Sequence, residues 1–291
     1  MWRHSFEYVN CPRISQEEQD WLERPFTEEE VLNIIKQCDG DKAPGPDGYT
    51  MSFFKVCWAT LKDDLMQTIQ NFHQNEMIEK SFNATFIALI PKKYGAEELK
   101  DFRPISLIGG IYKIIAKLLT ERMKTVMGEL VDEHQMAFLK GRQIMDAALL
   151  DNELVDSKVK QKLVGVLCKL DIEKAYDHVN WSFLLKILRD MGFGNKWTNW
   201  IKTCISTAKF SLIINGSLEG FFQSQRGLRQ DDSLVFCEAE VMQIRHLRAI
   251  LTIFEGISGL HVNWHKSCLY PVNQVTNMQI LAENLGCQMD S

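Results

Sequence analysis

What this chain lacks narrows it first. No apolar run among its 291 residues approaches the length of a membrane span, and the opening MWRHSFE has no apolar core of the kind a signal peptide needs. None of its 8 cysteines forms a Cys-x-x-Cys pair. That argues against a zinc knuckle and a disulfide framework, and for a reducing compartment. The expected location is therefore intracellular, nucleus or cytoplasm, with no membrane partner. Internal repeats and low-complexity segments are absent too. A cluster of His261, His265 and Cys268 has metal-binding residue types, but it lies in a mixed, strand-like stretch where a zinc role is the lesser reading.

Charge of one sign is lacking as well, since the net charge is only −5. Its distribution is uneven: residues 1–80 carry −7, residues 81–230 carry +6 and residues 231–291 carry −4. A polyanion would be drawn to the middle block, although lysines that merely solvate helix faces would give much the same count.

What is present reads as alternating helices and strands. Residues 1–26 are polar and mixed and are read as a linker. Thr27-Glu-Glu-Glu30 is a capping box, and Val31, Ile34 and Ile35 follow at helical spacing to about Cys38. The loop DGDKAPGPDG over 39–48 is stiffened by Pro44 and Pro46. A long helix is expected from Ser52 to Phe72, a strand over 84–90, an extended piece over 101–107 and amphipathic helices over 111–127 and 144–159. Helices over 181–191 and 196–207 carry Trp181, Trp197 and Trp200 at helical spacing, the mark of core side chains. Phe210–Asn215 and Leu218–Gln223 make a hairpin about an Asn-Gly turn. A helix over 238–255, a short strand over 260–264 and a helix over 275–285 close the chain. The class is α/β or α+β rather than a helical bundle.

The chain is organised around LVGVLCKLDIEKAYD, residues 163–177. Its apolar first half reads as a buried strand, and Asp171 stands at the strand's end. A carboxylate there is costly to desolvate unless a cation pairs with it, although a helix-capping role suits a lone Asp equally well. The second acidic cluster, Asp231-Asp232, is followed by the strand-like SLVF. Two acidic clusters at strand ends are what a two-metal phosphoryl-transfer site requires.

Five motifs occur in order: KAPGPDG (42–48), FRPISL (102–107), AFLKGR (137–142), LDIEKAYD (170–177) and QRGLRQ (225–230). Together they resemble the reverse transcriptase of LINE-type (non-LTR) retrotransposons, particularly those abundant in plants, over roughly residues 27–290. The resemblance implies an α+β right-hand polymerase with fingers (27–162) and a partial palm (163–270), a truncated palm/thumb junction (271–291) and no thumb. It implies an RNA-directed DNA polymerase that uses an RNA template, a DNA primer, deoxynucleoside triphosphates and two Mg2+ ions. Carried over by motif, Asp171, Asp231 and Asp232 would be metal ligands, and Lys266 the late palm lysine. Arg103 and Lys92 would hold the triphosphate. Tyr176 would screen the sugar of the incoming nucleotide, and Gln230 would lie against the nucleotide. Gly227 and Arg142 would face the template. The residue types suit these roles, because a planar guanidinium binds two phosphate oxygens at once and Mg2+ favours carboxylate oxygens.

The match breaks between Gln230 and Asp231. The family pattern has several dozen residues there, including a palm helix and the strand leading into the acidic pair. Here the flanks abut, as if an internal segment were deleted in frame. The preceding SQRGLRQ makes a poor buried strand. Catalytic competence of this copy is therefore expected to be impaired. The alternative is a non-catalytic nucleic-acid-binding remnant or a pseudogene product.

Overall fold

The computed structural model describes residues 11–131, 141, 144–173, 179–225, 227 and 233–290. In chain order the described elements are α1 (Gln16–Glu23), α2 (Glu28–Gln37), α3 (Met51–Val56), α4 (Trp58–Asn75), β1 (Ala84–Pro91), β2 (Phe102–Ile108), α5 (Gly110–Leu130) and α6 (Ile144–Lys160). They continue with β3 (Gly165–Leu170), β4 (Ile172–Glu173), α7 (Trp181–Asp190), α8 (Asn195–Ser206), β5 (Lys209–Ile214), β6 (Ser217–Gln223) and β7 (Ser233–Glu238). The last are α9 (Val241–Ser258), β8 (His261–Val262), β9 (Cys268–Val272), α10 (Met278–Leu285) and β10 (Gln288–Met289). Helix and sheet are mixed, as expected.

Two compact units interleave along the chain. The first comprises Pro12–Leu130 and Leu188–Gln225. The second comprises the described residues of Met1–Cys11, Val131–Ile187 and Arg226–Ser291.

The first unit begins where a linker was expected. Ser15 caps α1 through a reciprocal capping box with Glu18, and Ile14, Leu22 and Phe26 are buried. The signal is Ser-x-x-Glu, the same one that marks Thr27–Glu30, where the capping box also forms. The reading of 1–26 as linker is thus corrected over 12–26. Arg122 of α5 fixes this segment. Its guanidinium is 2% exposed and donates to Glu30 Oε1 and Oε2 (3.0 and 2.9 Å) and to the carbonyls of Leu22, Arg24 and Pro25 (2.8, 2.6 and 3.0 Å). Those bonds use all five N–H donors a guanidinium owns. The expected helix from Ser52 to Phe72 is in fact two, α3 and α4, with Cys57 (φ −90°, ψ 12°) at the break.

The KAPGPDG loop has a structural task in this unit. Asp47 Oδ2 accepts from the Gly110 N–H at 2.5 Å, supplying a partner to the first turn of α5 from outside the helix. Gly45 lies against the end of β2: a Cβ there would fall 2.3 Å from the Gly109 nitrogen, so only glycine permits the approach. The sheet of this unit runs β2-β1-β5-β6. β1 is antiparallel to β2 and parallel to β5. Asn83 is buried and sets the start of that parallel pair, its Nδ2 donating to the Cys204 carbonyl (3.1 Å) and Thr207 Oγ1 (2.7 Å) while its carbonyl accepts from Lys209 N–H. The β5–β6 turn has positive φ at both Asn215 (50°) and Gly216 (82°), the type I′ geometry that Asn-Gly favours. Trp197 and Trp200 are fully buried, among Phe26, Phe72 and His73.

The second unit is built on the sheet β10-β9-β3-β7. Val166, Cys168 and Leu170 point from β3 into a core completed by Ile244, Val262, Leu269, Leu281 and Leu285. The alternation follows from the strand's period of two. β9 was not foreseen. Pro271 within it weakens a sequence reading as strand, yet β9 lies between β3 and β10, with Pro271 opposite Val166. The final helices start later than expected: the first at Val241, because Ser233–Glu238 is taken by β7, and the second at Met278, after Asn277.

Candidate active site

Asp171 sits where one strand leaves its sheet. β3 ends at Leu170, paired with β9 on one side and β7 on the other. The next residues, Ile172 and Glu173, pair instead with Val262 and His261 of β8. Asp171 is the corner between these pairings. The segment joining β8 to β9, Asn263–Ser267, wraps around it. The Asp171 N–H donates to Ser267 Oγ at 3.1 Å, and its carbonyl accepts from the Asn263 N–H at 2.6 Å. Ser267 is fully buried and its hydroxyl donates to the Asn263 carbonyl at 2.9 Å. Both backbone groups of Asp171 are therefore satisfied by one turn. Among the described residues no hydrogen bond or ion pair reaches its carboxylate.

Lys266 belongs to this same turn, its N–H donating to the Asn263 carbonyl at 3.0 Å, with its side chain exposed. The structure thus brings Asp171 and Lys266 to one corner. Ser267 and Asn263 were missed at the sequence level. The readable signal was a serine four residues after an asparagine, since Ser hydroxyls bond readily to the i−4 carbonyl.

On the opposite flank of β3, the β3–β7 register runs from Gly165↔Glu238 to Leu170↔Ser233. Asp231 and Asp232, which precede Ser233 in sequence, lie outside the described residues, as do Arg142, Tyr176 and Gln230. Gly227 is described, with φ 110° and its N–H on the Val179 carbonyl at 3.1 Å.

The other expected residues belong to the first unit. Arg103 is exposed on β2, opposite Ile90 of β1. Lys92 follows β1, and its Nζ donates to the Lys100 carbonyl at 2.8 Å, so the ammonium closes the end of the hairpin. Lys93 pairs with Asp101 at 2.9 Å. No three His, Cys, Asp or Glu side chains among the described residues are grouped to hold a metal, and that includes His261, His265 and Cys268. No helix among them is long and apolar enough to cross a membrane.

A strand-end aspartate pinned by its backbone, in a chain carrying the five ordered motifs, asks which known proteins share it. Residues 90–230 match the family of reverse transcriptases (RNA-dependent DNA polymerases). Those residues are a reverse transcriptase domain. An uncharacterized 149 kDa protein of transposon TX1 from Xenopus laevis is 31% identical over 219 residues, 75% of this chain and 17% of that protein. The Pol polyprotein from a type-1 retrotransposable element R2 of Popillia japonica is 25% identical over 217 residues, 72% of this chain and 29% of its own length. Among solved structures, apo telomerase from Candida tropicalis, truncated from its C-terminal domain, aligns with a TM-score of 0.46 and 14% identity, over 78% of this chain and 57% of that one. The relatives are non-LTR retrotransposon proteins, and the family matched over residues 90–230 is one of nucleotidyltransferases. The chain spans less than a third of the curated relatives named here.

Proposed function

We propose that this reverse transcriptase domain copies RNA into DNA by two-metal nucleotidyl transfer at Asp171, Asp231 and Asp232, and that this copy is impaired by loss of a segment between Gln230 and Asp231. One observation carries the site: the β3–β7 register sets Ser233 opposite Leu170. The residue following the acidic pair in sequence is thereby paired with the residue preceding Asp171. Impairment is supported by the family match ending at Gln230, next to the acidic pair.

The donor chemistry suits a hard cation. The Asp171 carboxylate offers oxygen ligands, and Asp231 and Asp232 would complete the set. Bound Mg2+ would lower the pKa of a primer 3′-hydroxyl and neutralise charge on departing pyrophosphate. The chain's own contribution is placement. The Asn263–Ser267 turn holds the Asp171 backbone, and Lys266, exposed on that turn, is suited to give a proton to the leaving group. Arg103 would bind the triphosphate, with Lys92 beside it. Tyr176 and Gln230 would line the nucleotide, and Gly227 and Arg142 the template. In this reading residues 27–162 act as fingers and residues 163–270 as palm, with RNA and a DNA primer as partners.

Primer extension on an RNA template with Mg2+ tests the proposal. Weak incorporation is expected, abolished by Asp171→Asn. Restoring the missing segment from a relative is expected to raise it on the order of a hundredfold, the scale set by about 1 Å of misplacement. Incorporation that survives Asp171→Asn would sink the site. A second reading is favoured by the same stop at Gln230: a remnant that binds nucleic acid without catalysis. Salt-sensitive RNA retention on filters, with no Mg2+ requirement and no incorporation by the restored chain, would select it.

A further inference from the structure

One helix of the second unit is apolar on two faces. α9 turns Val241, Ile244, Leu247 and Leu251 to the core of its unit. Arg245 and Arg248 tie one flank to α10, through Asn284 Oδ1 and the Leu285 carbonyl, each at 2.8 Å. Away from these contacts lie Met242, His246, Ala249, Ile250, Ile253 and Gly256, all exposed. Met242, Ile250 and Ile253 keep 57%, 63% and 48% of their surface in water. A helix that is apolar all round belongs in surroundings that cover it all round. Here one side is left open.

The spacing of the open face is specific. Met242, His246, Ala249, Ile253 and Gly256 follow at steps of four, three, four and three, which is the step of a coiled-coil seam. We propose that two copies of this chain associate through α9, antiparallel, as an isologous dimer. With the two-fold axis at the level of Leu251, His246 faces Gly256 of the partner subunit and Ala249 faces Ile253 of the partner subunit. Each larger side chain then meets a smaller one. The slot at Gly256 is open, since a Cβ built there would meet no described atom within 4 Å. Parallel copies would set Ile253 against Ile253 and glycine against glycine, with crowding at one layer and a gap at the other. Charge selects the same orientation. α9 carries Arg245 and Arg248 in its first half and no basic residue in its last turn. Antiparallel packing brings Arg245 to the C-terminal end of the partner helix, where the aligned backbone dipoles favour a cation. The seam is only two heptads long, so the dimer is concentration-dependent rather than obligate. It makes no use of nucleotidyl transfer, and its test does not share the fate of the catalytic proposal.

Sedimentation equilibrium of the full, nuclease-treated chain over a wide range of concentration tests the proposal. A monomer–dimer equilibrium is expected, with a dissociation constant raised on the order of tenfold or more by Ile253→Asp. Ile253 faces water in the single chain, so that variant should keep the wild-type circular dichroism and melting temperature. Oxidative cross-linking reads the orientation. A mixture of His246→Cys and Gly256→Cys chains should give a linkage between positions 246 and 256, mapped by mass spectrometry. His246→Cys alone should give no linkage between two copies of position 246, which the antiparallel register holds about 15 Å apart along the helix axis, beyond the reach of a disulfide. A chain that stays monomeric at every concentration, a dimer indifferent to Ile253→Asp, or a linkage between two copies of position 246 would overturn the proposal. So would a monomer whose α9 gains hydrogen-exchange protection only on phosphatidylcholine vesicles, since the open face would then belong to a lipid surface. The wild-type measurement needs no substitution, so poor folding of a variant would not shelter it.

Discussion

The two units each take a charged side chain away from water, and they do so in opposite ways. In the first, Arg122 has all five donors satisfied by Glu30 and three carbonyls, with Phe26 4.0 Å beneath its guanidinium. In the second, the protein satisfies only the backbone of Asp171 and, among the described residues, gives its carboxylate no partner. A buried ion whose every hydrogen bond ends inside the protein is structural, because nothing of it remains to offer a ligand. A half-buried carboxylate held through its backbone leaves its oxygens unengaged by the described residues, as the proposed metal site would require. The contrast separates a residue that holds the fold from one the fold holds.

The largest way to break that contrast is Arg122→Ala. It would strip three carbonyls of this donor and leave the Glu30 carboxylate only Arg24 and the groups of Thr27, and loss of one partner of a buried pair costs about 3–5 kcal/mol. The expected outcome is early unfolding of α1, α2 and α5 in urea, read by hydrogen exchange, with β3 and β9 keeping their protection. Equal loss of protection in both sheets would show that the units do not differ in this way.

How much of this could be read beforehand differs by unit. The Thr27 capping box, the Asn215-Gly216 turn and the buried Trp197 and Trp200 follow local rules, and each appears as read. The α1 segment obeyed the same capping rule, but its polar composition masked Ser15 and Glu18. Its burial depends on Arg122, roughly a hundred residues away in sequence, which no local pattern announces. Around the site, the strand and Asp171 were legible because a short apolar run ending in an acid is a local signal. The clamp was not. Ser267 meets Asp171 across 96 positions, and β9 was hidden by its proline. The KAPGPDG loop was visible as rigid, yet its use of Asp47 as a cap for α5 required the fold.

Ser267→Ala sharpens the comparison from the other side, with a smaller effect. Removing the hydroxyl leaves the part-buried Asp171 N–H without its acceptor and the Asn263 carbonyl without one donor, at most about 1–3 kcal/mol. The expectation is faster exchange at Asp171 and Ile172 and an unchanged first unit. In a chain with the segment proposed to be missing supplied, incorporation should fall further than the loss of stability explains, if the corner places the carboxylate as proposed. A stability loss with full incorporation would mean the turn supports the fold but does not place Asp171.

Acid is expected to act last and least, on the first unit alone. Burial lowers His73 from its ordinary 6.5, reinforced by Lys196 and Arg122 and opposed by its hydrogen bond to the Glu23 carbonyl. Burial would raise Glu30, but bonds from Arg122 and the Thr27 N–H, with the charges of Arg122 and Arg24, bring it below 4.5. Both folded values lie below the unfolded ones, so the folded unit takes up protons less readily than the unfolded chain. The stabilisation is complete above about pH 6.5 for His73 and about pH 4.5 for Glu30, and is lost as pH falls through each depressed value. Urea midpoints for α4 and α5 should therefore fall in two stages on acidification. Replacing Lys196 by Met removes a like charge that both ring nitrogens of His73 face at 3.3–3.4 Å, and should move the first stage to lower slope without touching the second. Were β3 to lose protection in step with α4, the acid response would belong to the whole chain, and the division between a charge satisfied within and a charge held ready would have no counterpart in stability.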